Sequence, residues 1–128
     1  MIDTLKTWHV IVKTRDEHGL AGLLADDVVF ESPVVHTPQH GKAITTVYLQ
    51  SALKVLNNET FRYVGEWKAH NSAVLEFACV VDGITINGVD IIRWNDAGLI
   101  VSFKVMVRPL KAMNTLHRKM AELLAAAG

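Results

Sequence analysis

The chain has 128 residues, half of them hydrophobic and a fifth charged, which fits one folded domain over 1–128 and excludes a disordered segment. Thirteen basic residues balance thirteen acidic ones, so the electrostatic footprint of a nucleic-acid binder is missing. The single cysteine, Cys79, excludes an internal disulfide and lies in the apolar run Phe77 to Val81, where a small buried residue is the plain expectation.

The opening string MIDTLKTWHV shows neither a basic leader nor a long apolar core, and no apolar stretch reaches membrane-spanning length. A cytoplasmic protein is therefore expected. From Asp3 to Lys13, Leu5, Trp8 and Val12 recur at helical spacing. Asp16 can cap a short second helix with Leu20, Leu23 and Leu24 on its inner face. Asp26-Asp27 turns the chain into a strand, Val28 to Glu31, closed by Ser32-Pro33. The loop VVHTPQHG follows, and Gly41-Lys42 opens a third helix with Ile44, Val47, Tyr48, Ser51 and Val55 on one stripe.

After Asn57-Asn58 the period changes from helical to alternating. Phe61, Tyr63 and Trp67 alternate with Arg62, Glu66 and Lys68, the pattern of a half-exposed strand. Val74 to Val81 is a second strand, Asp82-Gly83 a hairpin turn, Ile84 to Trp94 a third strand, and Leu99 to Val107 the last. Pro109 suits the first turn of a closing helix with Leu110, Met113, Leu116, Met120, Leu123 and Leu124 as its apolar positions. Helices, then an antiparallel meander, then one helix define an α+β chain rather than a parallel βαβ fold.

Three strings carry a family resemblance. LLADDVVFESP resembles the sheet-opening strand of the nuclear transport factor 2-like superfamily, whose ketosteroid isomerases show A-D-D-x-x-x-E-D-P there. HGKAI resembles the superfamily's start of the third helix, and VDIIRWNDAGLI resembles the isomerase pattern I-D-V-M-R-F-D-x-x-G-x-I. The likeness runs without a gap from Trp8 to Gly41, needs shortened hairpins later, and stops near Leu110, where this chain's last helix is longer. It implies a cystatin-like cone: a strongly curved antiparallel sheet with N-terminal helices, a C-terminal helix and an apolar pocket. It also implies pairing of two copies through the outer sheet face, which Ser102, Lys104, Met106 and Arg108 would share. Function is a separate question, because the same fold hosts isomerases, cyclases and non-catalytic binding proteins.

Residue by residue, the resemblance transfers only part of the isomerase chemistry. Ser32 stands where the isomerase keeps its carboxylate base, with Glu31 beside it on the opposite side of a strand. Trp8 replaces the oxyanion tyrosine, and Leu49 replaces the tyrosine that supports it. Asp90 matches the second oxyanion donor, an aspartate that stays protonated in an apolar site, an arrangement known from ketosteroid isomerase itself. Steroid isomerisation in its known form is therefore not expected.

Asp90, flanked by Val89, Ile91 and Ile92, is either a neutral acid in a pocket or half of a buried ion pair with Arg62 or Arg108. Glu76 interrupts an apolar strand on the side of Val74, Ala78 and Val80. It is either a second carboxyl in the cavity or a solvent-facing edge residue. His36, in the loop before the third helix, is a further candidate base. Trp8, Phe30, Ser32, Tyr48, Phe103 and Val105 are the expected lining of a pocket for a small apolar molecule. No HExxH motif or carboxylate-rich cluster implies a metal, and no phosphate-cradling glycine loop implies an organic cofactor. The expectation is a cofactor-free proton-transfer enzyme like the SnoaL-like cyclases, with Asp90 donating to an oxyanion and Glu76 or His36 as base. The alternative is a binding or dimerisation module without turnover.

Overall fold

The computed structural model describes residues 2–127. The first helix, α1 (Thr4–Thr14), begins where Asp3 accepts a hydrogen bond from the Lys6 amide, a cap typically worth about 1 kcal/mol. It buries Leu5, Trp8, Ile11 and Val12, the stripe its spacing requires. Two short 3-10 turns, Glu17–Gly19 and Ala21–Leu23, replace the expected second helix, although Asp16 caps the first of them and Leu20, Leu23 and Leu24 are buried. Strand β1 (Leu24–Glu31) starts earlier than the Asp26-Asp27 signal suggested, because both aspartates sit exposed within it beside a register shift. The next loop contains a two-residue strand, β2 (Gln39–His40), which the sequence did not announce.

Helix α2 (Lys42–Leu56) buries Thr45, Leu49, Ser51 and Leu56, while Ile44 and Val47 are exposed, so its inner face is rotated from the expected stripe. The meander follows as β3 (Arg62–Ala69), β4 (Ser72–Val81), β5 (Ile84–Trp94) and β6 (Ile100–Arg108), each antiparallel to the next. Sheet order is β2-β1-β6-β5-β4-β3, with β1 joining β6 in parallel. Helix α3 (Leu110–Ala127) packs on α2 and against β5 and β6. Ala112, Thr115 and Leu116 are its buried residues, and Leu110, expected on the apolar stripe, is exposed. Neighbouring basic residues of α3, Arg118 and Lys119, hold Asp82 of the β4–β5 turn at 3.2 and 3.1 Å.

Two register details decide what faces the core. In β4, Leu75, Phe77, Cys79 and Val81 are buried, so the alternate set containing Val74, Glu76, Ala78 and Val80 belongs to the outer face. In β3, Tyr63 pairs with Phe77 and Gly65 with Glu76, which inserts one extra residue between them. This bulge reverses the facing of everything after it. Tyr63 points inward, whereas Trp67, two alternations further on, pairs with Val74 and is 59% exposed. Strict alternation had put both aromatic residues on one side.

Candidate functional site

Asp90 lies mid-β5 on the inner face, opposite Leu75 on one side and Val105 on the other, and is 7% exposed. Among the described residues no cation reaches it; its partner is Tyr63, whose hydroxyl donates to Asp90 Oδ2 at 2.7 Å across the intervening strand β4. Trp8 of α1 donates its indole N–H to that same hydroxyl at 2.9 Å. Three elements thus supply a directed chain, indole to phenol to carboxyl. Burial pushes the Asp90 carboxyl up to about 7, with the Tyr63 hydrogen bond pulling the other way. Burial also holds the Tyr63 phenol well above its ordinary range, reinforced by the Asp90 charge and by the bond to Asp90, and opposed by the bond from Trp8.

This chain borders a cavity of about 30 Å³ lined by Trp8, Tyr63, Phe77, Asp90, Phe103 and Val105 among others. Adjoining it is a larger chamber of about 230 Å³, lined by Phe30, Ser32, Tyr48, Leu116 and Met120 among others. Ala52, Leu56 and Val105 line both spaces, so the two adjoin at those side chains. Aromatic contacts join the two: Trp8 to Phe103 at 5.0 Å, Phe103 to Phe30 at 6.3 Å, and Phe30 to Tyr48 at 5.7 Å. Polar groups are few. Ser32, whose Oγ accepts from the Val34 and Val35 amides, and His117 stand in the chamber wall.

The expected lining residues are therefore brought together in two groups. Phe30, Ser32 and Tyr48 border the chamber, Trp8 and Phe103 the smaller cavity, and Val105 both. The three expected acid–base residues are not. Glu76 sits on the outer face, accepting from Asn87 Nδ2 at 3.0 Å, because it pairs with Val89 while Asp90 pairs with inward Leu75. His36 is exposed and borders an outer groove with Glu31 and Lys104. Asp90 is the one carboxyl lining either cavity. An ion pair of Asp90 with Arg62 or Arg108 is also absent among the described residues; Arg62 is exposed and Arg108 reaches Asn87 instead. Tyr63 went unrecognised in the sequence, although its inward-facing place beside Phe61 was a usable signal. No grouping of three histidine, cysteine or acidic side chains that could hold a metal ion occurs among the described residues.

With this geometry, comparison with known proteins defines the class. Residues 5–103 match the model of the SnoaL-like domain, and the chain belongs to that family, within the nuclear transport factor 2-like superfamily. Among solved structures, one described as a steroid delta-isomerase from Pseudomonas aeruginosa is 38% identical, with a TM-score of 0.92, covering 97% of this chain and 90% of that one. A second, an uncharacterised bacterial protein with a cystatin-like fold from Silicibacter pomeroyi, is 32% identical with a TM-score of 0.86, covering 95% and 85%. An NTF2-like protein of unknown function from Mesorhizobium loti, 18% identical with a TM-score of 0.72 over 84% and 89%, shares the fold. Comparison with curated protein sequences gives no match.

Proposed function

We propose that this protein binds a small, largely apolar carbonyl compound in the chamber, with its carbonyl end reaching past Val105 into the adjoining cavity, where Asp90 and Tyr63 move a proton on it without a cofactor. The observation that carries this reading is the Trp8–Tyr63–Asp90 hydrogen-bond chain beside a small apolar cavity that adjoins the chamber. A carboxyl near 7 exists in both forms at neutral pH, the condition under which one group can take a proton and return it. Ionised Asp90 would remove a proton from the carbon beside the carbonyl. The C–H electron pair becomes the enolate double bond, and charge moves to oxygen. Tyr63, no longer needed by a charged carboxylate, would turn its hydroxyl to that oxygen. Asp90 then returns the proton to carbon. The likeness to a protein described as an isomerase supports this reaction class.

The test is conversion of a two-ring β,γ-unsaturated ketone to its conjugated isomer, followed by ultraviolet absorbance. Asp90→Asn should lower the rate by roughly a hundredfold to ten-thousandfold, the usual worth of a general base. Equal rates for wild type and Asp90→Asn, or binding with no turnover by either, would overturn the proposal. Turnover of a 5-ene-3-ketosteroid should be weak, because Ser32 stands where the isomerases keep a carboxylate.

The same reading includes pairing of two copies through the outer sheet face in the cytoplasm. Val64, Trp67, Val80 and Met106 expose apolar surface on β3, β4 and β6, and buried Cys79 suits a reducing compartment. Sedimentation at micromolar concentration should give a dimer; a monomer alone would count against it. Among the described residues, no helix is long and apolar enough to cross a membrane.

A further inference from the structure

Tyr63 also borders a further, separate depression of about 390 Å³ that Asp90 does not line. Its walls are the end of α1, the α2–β3 connection and the start of β3. Lys13, Arg15 and Arg62 border it with a single acid, Glu59. In a chain whose charges balance overall, this is a local excess of positive charge. None of the three cations takes part in an ion pair among the described residues, where the pairs formed use His9, Lys68, Lys104, Arg118 and Lys119.

Two helices end here, and cations near helix C-termini commonly serve only to offset the exposed carbonyls. At this place several of the carbonyls already have partners. Ile11 O accepts from the Arg15 and Asp16 amides, Val12 O from Asn57 Nδ2 at 2.8 Å, and Leu53 O from the Asn57 amide. Moreover, Arg15 is left-handed, with φ of 57°, a conformation that closes helices most easily with glycine. An arginine held there against its backbone preference, beside a second arginine and a lysine, points to a use for the side chain.

We propose that this cleft is a binding site for a small oxyanion, a carboxylate or a phosphate group, gripped by Arg15 and Arg62 with Lys13 as a third charge. Planar guanidinium groups pair with such oxyanions through two parallel N–H donors. Val12 and Phe61 border the same cleft and offer an apolar flank for whatever carries the anionic group. Phe61 and Tyr63 also line the smaller cavity, so the two sites share one wall and nothing else.

Sodium phosphate and sodium benzoate, titrated separately into the full chain at low ionic strength, provide the test, with sodium chloride as control and amide chemical shifts as readout. At least one should give saturating shifts confined to residues 9–16 and 57–63, and whichever binds more tightly identifies the group recognised. Arg15→Gly and Arg62→Gln should each weaken binding about tenfold or more, and Lys104→Gln should leave it unchanged. Arg15→Gly places glycine where the backbone favours it, so that variant keeps its fold. Asp90→Asn should bind the anion as wild type does, which separates this result from the fate of the proton-transfer reading. Shifts that never saturate, that chloride reproduces, or that persist unchanged in the Arg15→Gly, Arg62→Gln double variant would overturn the proposal.

Discussion

Asp90 and Glu76 sit on adjacent strands, close in register, yet the two faces of the sheet give the two carboxyl groups different surroundings. On the inner face, Asp90 has one phenol for a partner and apolar walls, and burial carries its carboxyl to about 7. On the outer face, Glu76 is half-buried and accepts from Asn87, itself a half-buried polar side chain. On the inner face it is burial among apolar walls that raises the carboxyl toward neutrality, surroundings that the outer face does not offer Glu76.

Removing the charge on the inner face should have the largest effect on stability. Asp90 titrates at a higher pH in the folded chain than in the unfolded one, so folding is penalised as pH rises above the ordinary carboxylate range. The penalty stops growing above about pH 7. Asp90→Asn cannot ionise and can still accept from Tyr63. It should therefore be more stable than wild type at pH 8, and by a smaller margin at pH 5. Urea melts at the two values measure this, and a large loss of stability at pH 8 would contradict the raised titration of Asp90.

A smaller effect is expected from Tyr63→Phe, which leaves the Trp8 indole N–H and the Asp90 carboxyl without their partner. Leaving such groups unsatisfied costs about 1–3 kcal/mol. Because the Tyr63 bond lowers the Asp90 titration, its loss should also move the pH inflection in stability upward, which the same melts resolve. At the far end of the scale stands the outer face. Glu76→Gln can still accept from Asn87, and it should change stability by no more than about 0.5 kcal/mol and leave turnover intact. A turnover loss comparable to that of Asp90→Asn would erase the contrast between the faces.

The contrast also explains what could be read in advance. Asp90 was legible because one acid within Val89 to Ile92 breaks an apolar run, and family strings fixed the fold around it. Glu76 was misplaced for a definite reason. In β4 the set Leu75, Phe77, Cys79 and Val81 is apolar, and so is Val74, Ala78 and Val80, so alternation could not say which set faced inward. Tyr63 escaped because its role depends on a partner two strands away. The bulge after it also sends Trp67 to the opposite face, contrary to simple periodicity. Pairing across strands and insertions within them are non-local facts, whereas periodicity is a local one.

The parallel seam between β1 and β6 bears on how the molecule comes into being. Besides two-residue β2, β6 is the only strand that β1 can pair with, and that seam sets Phe30 opposite Phe103. The hairpins of the meander close between neighbours in the chain, but this seam joins distant segments and must pay loop-closure entropy first. During synthesis, the apolar sides of α1, β1 and α2 therefore wait without their sheet until residues 100–108 have emerged. Until then the nascent N-terminal half leaves apolar surface uncovered, the condition in which incompletely folded chains associate.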